Sequence, residues 1–254
     1  NERQLIPLKQ TVKQYKQNIA KQEFKEMKEL EEAVQEESYS DKEIQEAQKL
    51  LLSPTLLHDM LSLIKRMGVV GEEKNVMTHY LALTSRYLDP PVSVVVKGDS
   101  SAGKSFTLGK VTKLFPRSAY IELTDATPQS LYYMPEDAFK HRFIILFEKH
   151  GGEKADYAIR SLQSEGKLVI QYPRKNPDTN EFETISVERD GPTGFITTTT
   201  DALIHSENET RNISIFPDQT SDQTKRIYEA TEAKYLEQEK PDESELKLWR
   251  CAQT

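Results

Sequence analysis

Apolar residues recur in steps of three and four near the start of the chain, at Leu5, Leu8, Val12, Tyr15 and Ile19, among Lys, Glu and Gln and without glycine. That spacing lays one apolar stripe along a helix. The stripe changes register at Phe24, Met27, Leu30 and Val34, which argues against a long coiled coil and predicts a charged helical arm or linker over 1–50. The pattern breaks near 38–41, where Ser40 and Glu43 stand at capping-box spacing. Leu50, Leu51, Leu56, Leu57, Met60, Leu61 and Ile64, then Val76, Met77, Tyr80, Leu81, Leu83 and Leu88, predict a helical lead-in over 51–90, stopped by Pro90 and Pro91.

Beyond 91 the period alternates between two and three to four. Strands are predicted at 92–97, 119–123, 143–147, 195–200 and 213–216, and helices at 104–115, 128–133, 154–165 and 221–236. The alternation predicts an α/β core over 91–240, a parallel sheet with flanking helices. Two alternating segments, 167–172 and 181–187, flank a Pro/Asn/Asp-rich stretch and predict a β-hairpin inserted before the fourth strand. Residues 241–254 are expected to begin a lid or tail whose remainder is missing, so that the chain is a fragment or one piece of a larger polypeptide.

Composition narrows the chemistry. A net charge of -7 over 254 residues, with pI near 5.4, excludes a protein that coats nucleic acid over its whole surface. The lone Cys251 excludes an intrachain disulfide framework, and no leader pattern or long apolar run stands out. The expected setting is cytoplasmic, with no membrane partner. His58, His79, His141, His150 and His205 are scattered and read as surface or packing residues.

The segment Gly98-Asp99-Ser100-Ser101-Ala102-Gly103-Lys104-Ser105 fits G-x-x-x-x-G-K-[ST], with a predicted strand before it and a helix opening with Phe106 after it. In such a phosphate-binding P-loop, glycines let main-chain N–H groups surround phosphates. Lys104 reaches the β/γ-phosphates and Ser105 ligates Mg²⁺. The predicted ligands are ATP and Mg²⁺. The strand at 143–147 leads into Glu148, a carboxylate that can orient or deprotonate an attacking water. Phe147 stands where an Asp usually precedes that acid, which leaves the metal to Ser105, phosphates and water. Thr197–Thr200 place hydroxyls at a strand end, where Thr199 or a neighbour can sense a γ-phosphate. Arg174 and Lys175 at the hairpin tip suit a nucleic-acid backbone, or form an ordinary solvated turn. Arg211 stands where an arginine finger belongs in ring ATPases; a surface arginine paired with Glu207 or Glu209 fits the same sequence.

The order of P-loop, acid-ended strand, helix, hairpin, polar strand end and arginine resembles AAA+ ATPases of the pre-sensor-hairpin group, which includes MCM-like and superfamily 3 helicases. Val69-Val70-Gly71-Glu72, Tyr80–Arg86, Leu162–Gly166, Gly191–Gly194 and Glu207–Arg211 look like the helicase-type ATPase of primase-helicase proteins from phages and other mobile elements. The resemblance covers roughly 50–236. It implies ATP hydrolysis, homo-oligomeric rings, single-stranded DNA translocated by the hairpin, and a primase as partner or fused domain. It assigns Walker A roles to Lys104 and Ser105, the Walker B role to Glu148, the sensor role to Thr199 or a neighbouring threonine, and the finger role to Arg211. Two other functions compete with this motor. One is a nucleotide-gated binding module with slow hydrolysis, which Phe147 favours. The other is a P-loop small-molecule kinase, which would need an arginine-bearing lid that the sequence lacks. No guanine-reading Asn-Lys-x-Asp motif is present, which disfavours a GTPase.

Overall fold

The computed structural model describes residues 37–124, 128–147, 153–175, 181–202, 205–237 and 241–254; most of the predicted arm, 1–36, lies outside them. Residues 39–254 form one compact unit. Its first helix, α1 (Asp41–Leu51), opens on the predicted capping box: Ser40 Oγ accepts from the Glu43 N–H, and the Glu43 carboxylate accepts from the Ser40 N–H at 2.7 Å.

Helices α2 (Leu56–Arg66) and α3 (Glu73–Thr84) form the lead-in. Met60, Leu63 and Ile64, then Val76, Tyr80 and Leu83, are buried at helical spacing. Leu51, Leu57, Leu81 and Leu88, expected on apolar faces, are exposed instead. Leu81 lies on the side of α3 opposite the mean direction of Val76, Tyr80 and Leu83, whereas Leu57 stands at the edge of the buried stripe in the first turn of α2, so residue type alone does not set burial.

The core is a five-stranded parallel sheet: β1 (Ser93–Lys97), β2 (Tyr120–Leu123), β3 (Arg142–Leu146), β6 (Thr193–Thr199) and β7 (Asn212–Ile215), in the order β2-β3-β6-β1-β7. Helices α4 (Lys104–Val111), α5 (Pro128–Tyr132), α6 (Glu153–Glu165) and α7 (Ser206–Glu209) lie between strands, and α8 (Ser221–Glu237) follows the last one. Each predicted strand falls within two residues of an observed one. The predicted 104–115 helix is α up to Val111 and then a 3-10 turn, Thr112–Leu114.

The pleat divides the sheet between two cores. Val94, Val96, Phe143, Ile145 and Ile196 pack with Leu108 and Val111 of α4 and with the lead-in. On the opposite face Val95 and Phe195 line a small cavity together with Ile159 of α6. Gly194 is required for a close approach: a Cβ there would lie 2.3 Å from the Phe143 ring, its register partner on β3.

The predicted hairpin is present as β4 (Lys167–Lys175) and β5 (Phe182–Asp190), antiparallel and separate from the main sheet. Its arms are longer than the pattern indicated. Arg174 and Lys175 therefore belong to the last rungs of β4, opposite Glu183 and Phe182, and not to the turn. Main-chain pairing accepts Pro173 at this free edge because proline only removes a donor that a two-stranded ribbon need not use.

Residues 241–254 hold helix α9 (Glu243–Ala252), docked on the lead-in. Leu246 and Trp249 enter the core, and Trp249 meets Tyr80 edge-on at 6.0 Å between centroids. Buried Arg86 donates to the carbonyls of Leu83 and Gln253, and Arg66 pairs with Glu245. Lys247 and Ser40 hold the Glu43 carboxyl down to about 2. No helix among the described residues is long and apolar enough to cross a membrane.

Candidate functional site

The loop from Gly98 to Gly103 leaves the C-terminal end of β1 and enters α4. Gly98 N–H donates to the Thr199 carbonyl at 3.2 Å, which moors the start of the loop to β6. Ser101 and Gly103 take left-handed conformations, φ 68° and 79°. Gly103 is the N-cap of α4 and a Cβ there would meet nothing, so its glycine serves the backbone turn and not close packing. The first turn of α4 offers the free N–H groups that every helix start leaves unpaired.

Lys104 is buried, with 8 % exposure, and its Nζ donates to the carbonyls of Gly98 and Asp99 at 2.7 Å each. The amine therefore sits across the loop. Ala102 N–H is used within the loop, donating to Asp99 O, and Asp99 N–H donates to Gln219 Oε1 at 3.4 Å. Ser100, Ser101 and Ser105 are exposed.

A cavity of about 610 Å³ opens beside this loop, in the size range of small-molecule sites. Ala102, Gly103 and Phe106 form one wall; Val70, Gln223 and Ile227 form another. Phe106 is half exposed with Lys110 Nζ 4.9 Å from its ring centre. The turn at 70–72 is clamped to the β7–α8 connection. Glu72 accepts from the Asp218 N–H at 2.9 Å, Asn75 donates to Phe216 O at 2.9 Å, and Gln223 donates to Val70 O at 2.5 Å. Burial raises the Glu72 carboxyl above its ordinary value, partly opposed by the Asp218 N–H and the Asn75 amide, both of which donate to it.

The remaining predicted residues stand as follows. Glu148 lies outside the described residues. Phe147 packs partly buried against the core, and its N–H donates to Leu123 O at 3.2 Å. Thr199 is buried; its Oγ1 accepts from the Asp201 N–H at 3.0 Å, and it lines the α6 side with Thr197, Asn208 and Asn212. Arg211 is exposed and donates to Ser164 Oγ at 2.8 Å and to the Glu207 carbonyl at 2.5 Å. The Glu207 and Glu209 carboxylates pair elsewhere, Glu207 with Arg160 at 3.4 Å and Glu209 with buried Lys97. Lys97 and Ser214 hold the Glu209 carboxyl below its usual range.

No family model matches this chain, and comparison with curated proteins finds no significant match.

Three residues at the site escaped the sequence pattern. Gln219 and Gln223 sit in a polar stretch with no motif, and only the fold carries them to the loop and the cavity. Phe182 is 76 % exposed beside Lys175, and an aromatic that ends a predicted strand gives no sign of where it projects. Among the described residues no three His, Cys, Asp or Glu side chains gather as a metal site. The donor set that fits Mg²⁺ is the exposed hydroxyl of Ser105 with phosphate oxygens and water, the manner in which this ion enters with a nucleotide.

Proposed function

We propose that this chain is a P-loop, AAA+-like ATPase that serves as the motor of a DNA helicase or translocase in mobile-element or phage replication. The observation that carries the reading is Lys104 folded across the 98–103 loop at the C-terminal edge of a parallel sheet, beside a cavity large enough for a nucleoside. Ligands of open α/β sheets bind at that edge, where the strand order reverses. Here the chain leaves β1 for β2 on one side and later passes from β6 to β7 on the other, so the reversal falls at β1.

The sheet order also supports hydrolysis over simple retention. One strand, β6, separates β1 from β3, so their C-terminal ends stand about 10 Å apart at ordinary strand spacing. That gap accommodates a terminal phosphate and a water beside Lys104. In this reading Lys104 exchanges its bonds to Gly98 and Asp99 for the β/γ-phosphates, and Glu148 orients the water. The first-turn N–H groups of α4 and Ser105 hold the phosphates and Mg²⁺, which when bound neutralises phosphate charge. Exposed Arg211 reaches a neighbouring subunit's site in a ring. The ribbon carrying Lys175 and Phe182 engages single-stranded DNA through a cation and a stacking face.

The test is ATP turnover by the full chain in its assembled state, with and without single-stranded DNA. Saturable Mg·ATP binding and DNA-stimulated hydrolysis are expected; binding without DNA response would remove the motor. A second reading, a nucleotide-gated binding module, is favoured by Phe147, whose packing against the core puts an apolar ring where a metal-holding carboxylate would serve hydrolysis. Tight ATP retention with negligible turnover distinguishes it.

A further inference from the structure

We propose that a polar stripe on α6, with Asp156 acting through Asn208, positions Arg211 for its work in the neighbouring subunit; this rests on the reading of Arg211 as a trans-acting finger. Asp156, Arg160, Gln163 and Ser164 stand at i, i+4, i+7 and i+8, on one face of the helix. Each bonds into the segment 207–212. Asn208 Nδ2 donates to Asp156 Oδ2 at 2.8 Å, and Arg160 donates to Asn208 Oδ1 at 3.3 Å while pairing with the Glu207 carboxylate. Gln163 Nε2 donates to Asn212 Oδ1 at 3.3 Å, and Ser164 Oγ accepts from Arg211 Nε at 2.8 Å.

Asp156 is 9 % exposed and Asn208 7 %. Burying a carboxylate costs free energy that a bond to a neutral amide repays only in part, and an apolar pair of similar volume often serves stability as well. What the polar pair supplies is direction. Asn208 is a donor to Asp156 and an acceptor from Arg160, so its amide, and the turn that carries it, is held in one orientation.

Arg211 hangs from that turn. Its main-chain N–H donates to the Asn208 carbonyl at 3.3 Å and its guanidinium to the Glu207 carbonyl at 2.5 Å. Glu209, within the same segment, binds buried Lys97, the last residue of β1 and the neighbour of Gly98. The segment that carries the finger is thereby registered against the strand that delivers its own subunit's phosphate loop. Such registration matters because a misplacement of about 1 Å in a group that serves the transition state costs about 100-fold in rate.

The experiment is steady-state ATP hydrolysis by the assembled full chain, comparing wild type with Arg211→Ala, Asn208→Asp, the Asp156→Asn/Asn208→Asp and Asn208→Asp/Arg211→Ala double variants, and Ser164→Ala. Asn208→Asp sets carboxylate against carboxylate and should lower kcat at least about 10-fold, with KM and ATP affinity held within about 2-fold. Adding Asp156→Asn exchanges donor and acceptor, restores the bond and should return kcat to within about 3-fold of wild type. In the Arg211→Ala background Asn208→Asp should cost nothing further, because its effect runs through the arginine. Ser164 is exposed, so Ser164→Ala tests the stripe without risk to folding and should lower kcat by about 3-fold or more, the worth of one hydrogen bond.

A folded and assembled Asn208→Asp protein with wild-type kcat overturns the positioning role. So does a fall that the exchange fails to recover, or one that persists in full without Arg211. Where Asn208→Asp does not fold or assemble, wild-type kcat in Ser164→Ala overturns it. Unchanged turnover in Arg211→Ala overturns the finger itself, and absent turnover in wild type overturns the ATPase reading.

Discussion

Lys104 Nζ and the Gly98 carbonyl lie 2.7 Å apart, so the amine assigned to phosphate already holds both ends of its own loop together. A phosphate that takes this amine replaces two carbonyl partners with a charge-assisted contact, which is the stronger bond. Lys104→Ala should lower Mg·ATP affinity by about 100-fold, the scale of two lost bonds to charged groups. Calorimetric titration measures this, and circular dichroism should show the secondary structure retained.

Arg211 holds Ser164 Oγ and the Glu207 carbonyl, contacts made to neutral groups at the surface. Arg211→Ala should therefore leave folding and ATP binding near wild type. Turnover in the assembled protein should fall by about 10³-fold, in line with a trans-acting arginine. Unchanged steady-state hydrolysis would end the finger role.

Phe182 and Lys175 are register partners on the last rung of the described hairpin. Phe182→Ala should weaken binding to a labelled oligothymidine by about 1–3 kcal/mol with the salt slope preserved. Lys175→Ala should lower that slope by close to one ion per subunit. Fluorescence anisotropy over a salt series separates the two effects.

His79 is 1 % exposed, and burial pulls its pKa from 6.5 down to about 4, against a weaker opposing pull from the Asn75 backbone. The unfolded chain takes up this proton first as pH falls. Stability from His79 is complete above 6.5 and declines between 6.5 and about 4, by up to about 3 kcal/mol in all. The difference between wild type and His79→Leu in urea unfolding should trace that window, while the carboxylates titrate in both.

Gly194 and Gly109 should respond oppositely to alanine. At 194 the new Cβ meets the Phe143 ring at 2.3 Å and forces it aside, so stability should drop by about 1–3 kcal/mol. Gly109 lies inside α4 with open space around it, and alanine there should add about 0.5–1 kcal/mol. Urea midpoints at constant slope measure both.

Local periodicity was enough to locate nearly every element of the core. Strands such as β1 and β3 are short apolar runs bounded by turn residues, and Ser40 with Glu43 marks the start of α1 through bonds that span only three positions. Exposure was less legible, because Leu57 and Leu81 carry the same residue type as their buried neighbours and only the direction of packing separates them. The docking of α9 was not legible at all. It depends on Arg86 reaching Gln253, 167 residues away.

By itself, the sequence determined the loop at 98–105, the alternation that makes an α/β core and the presence of a hairpin, since each is written in contacts between near neighbours. Tertiary structure decided the strand order, the face that Thr199 presents, the rung that holds Lys175, and the meeting of Val70 with Gln223 across 153 positions. Such pairings are chosen by burial and by the satisfaction of buried polar groups over the whole unit, a sum that no local pattern contains.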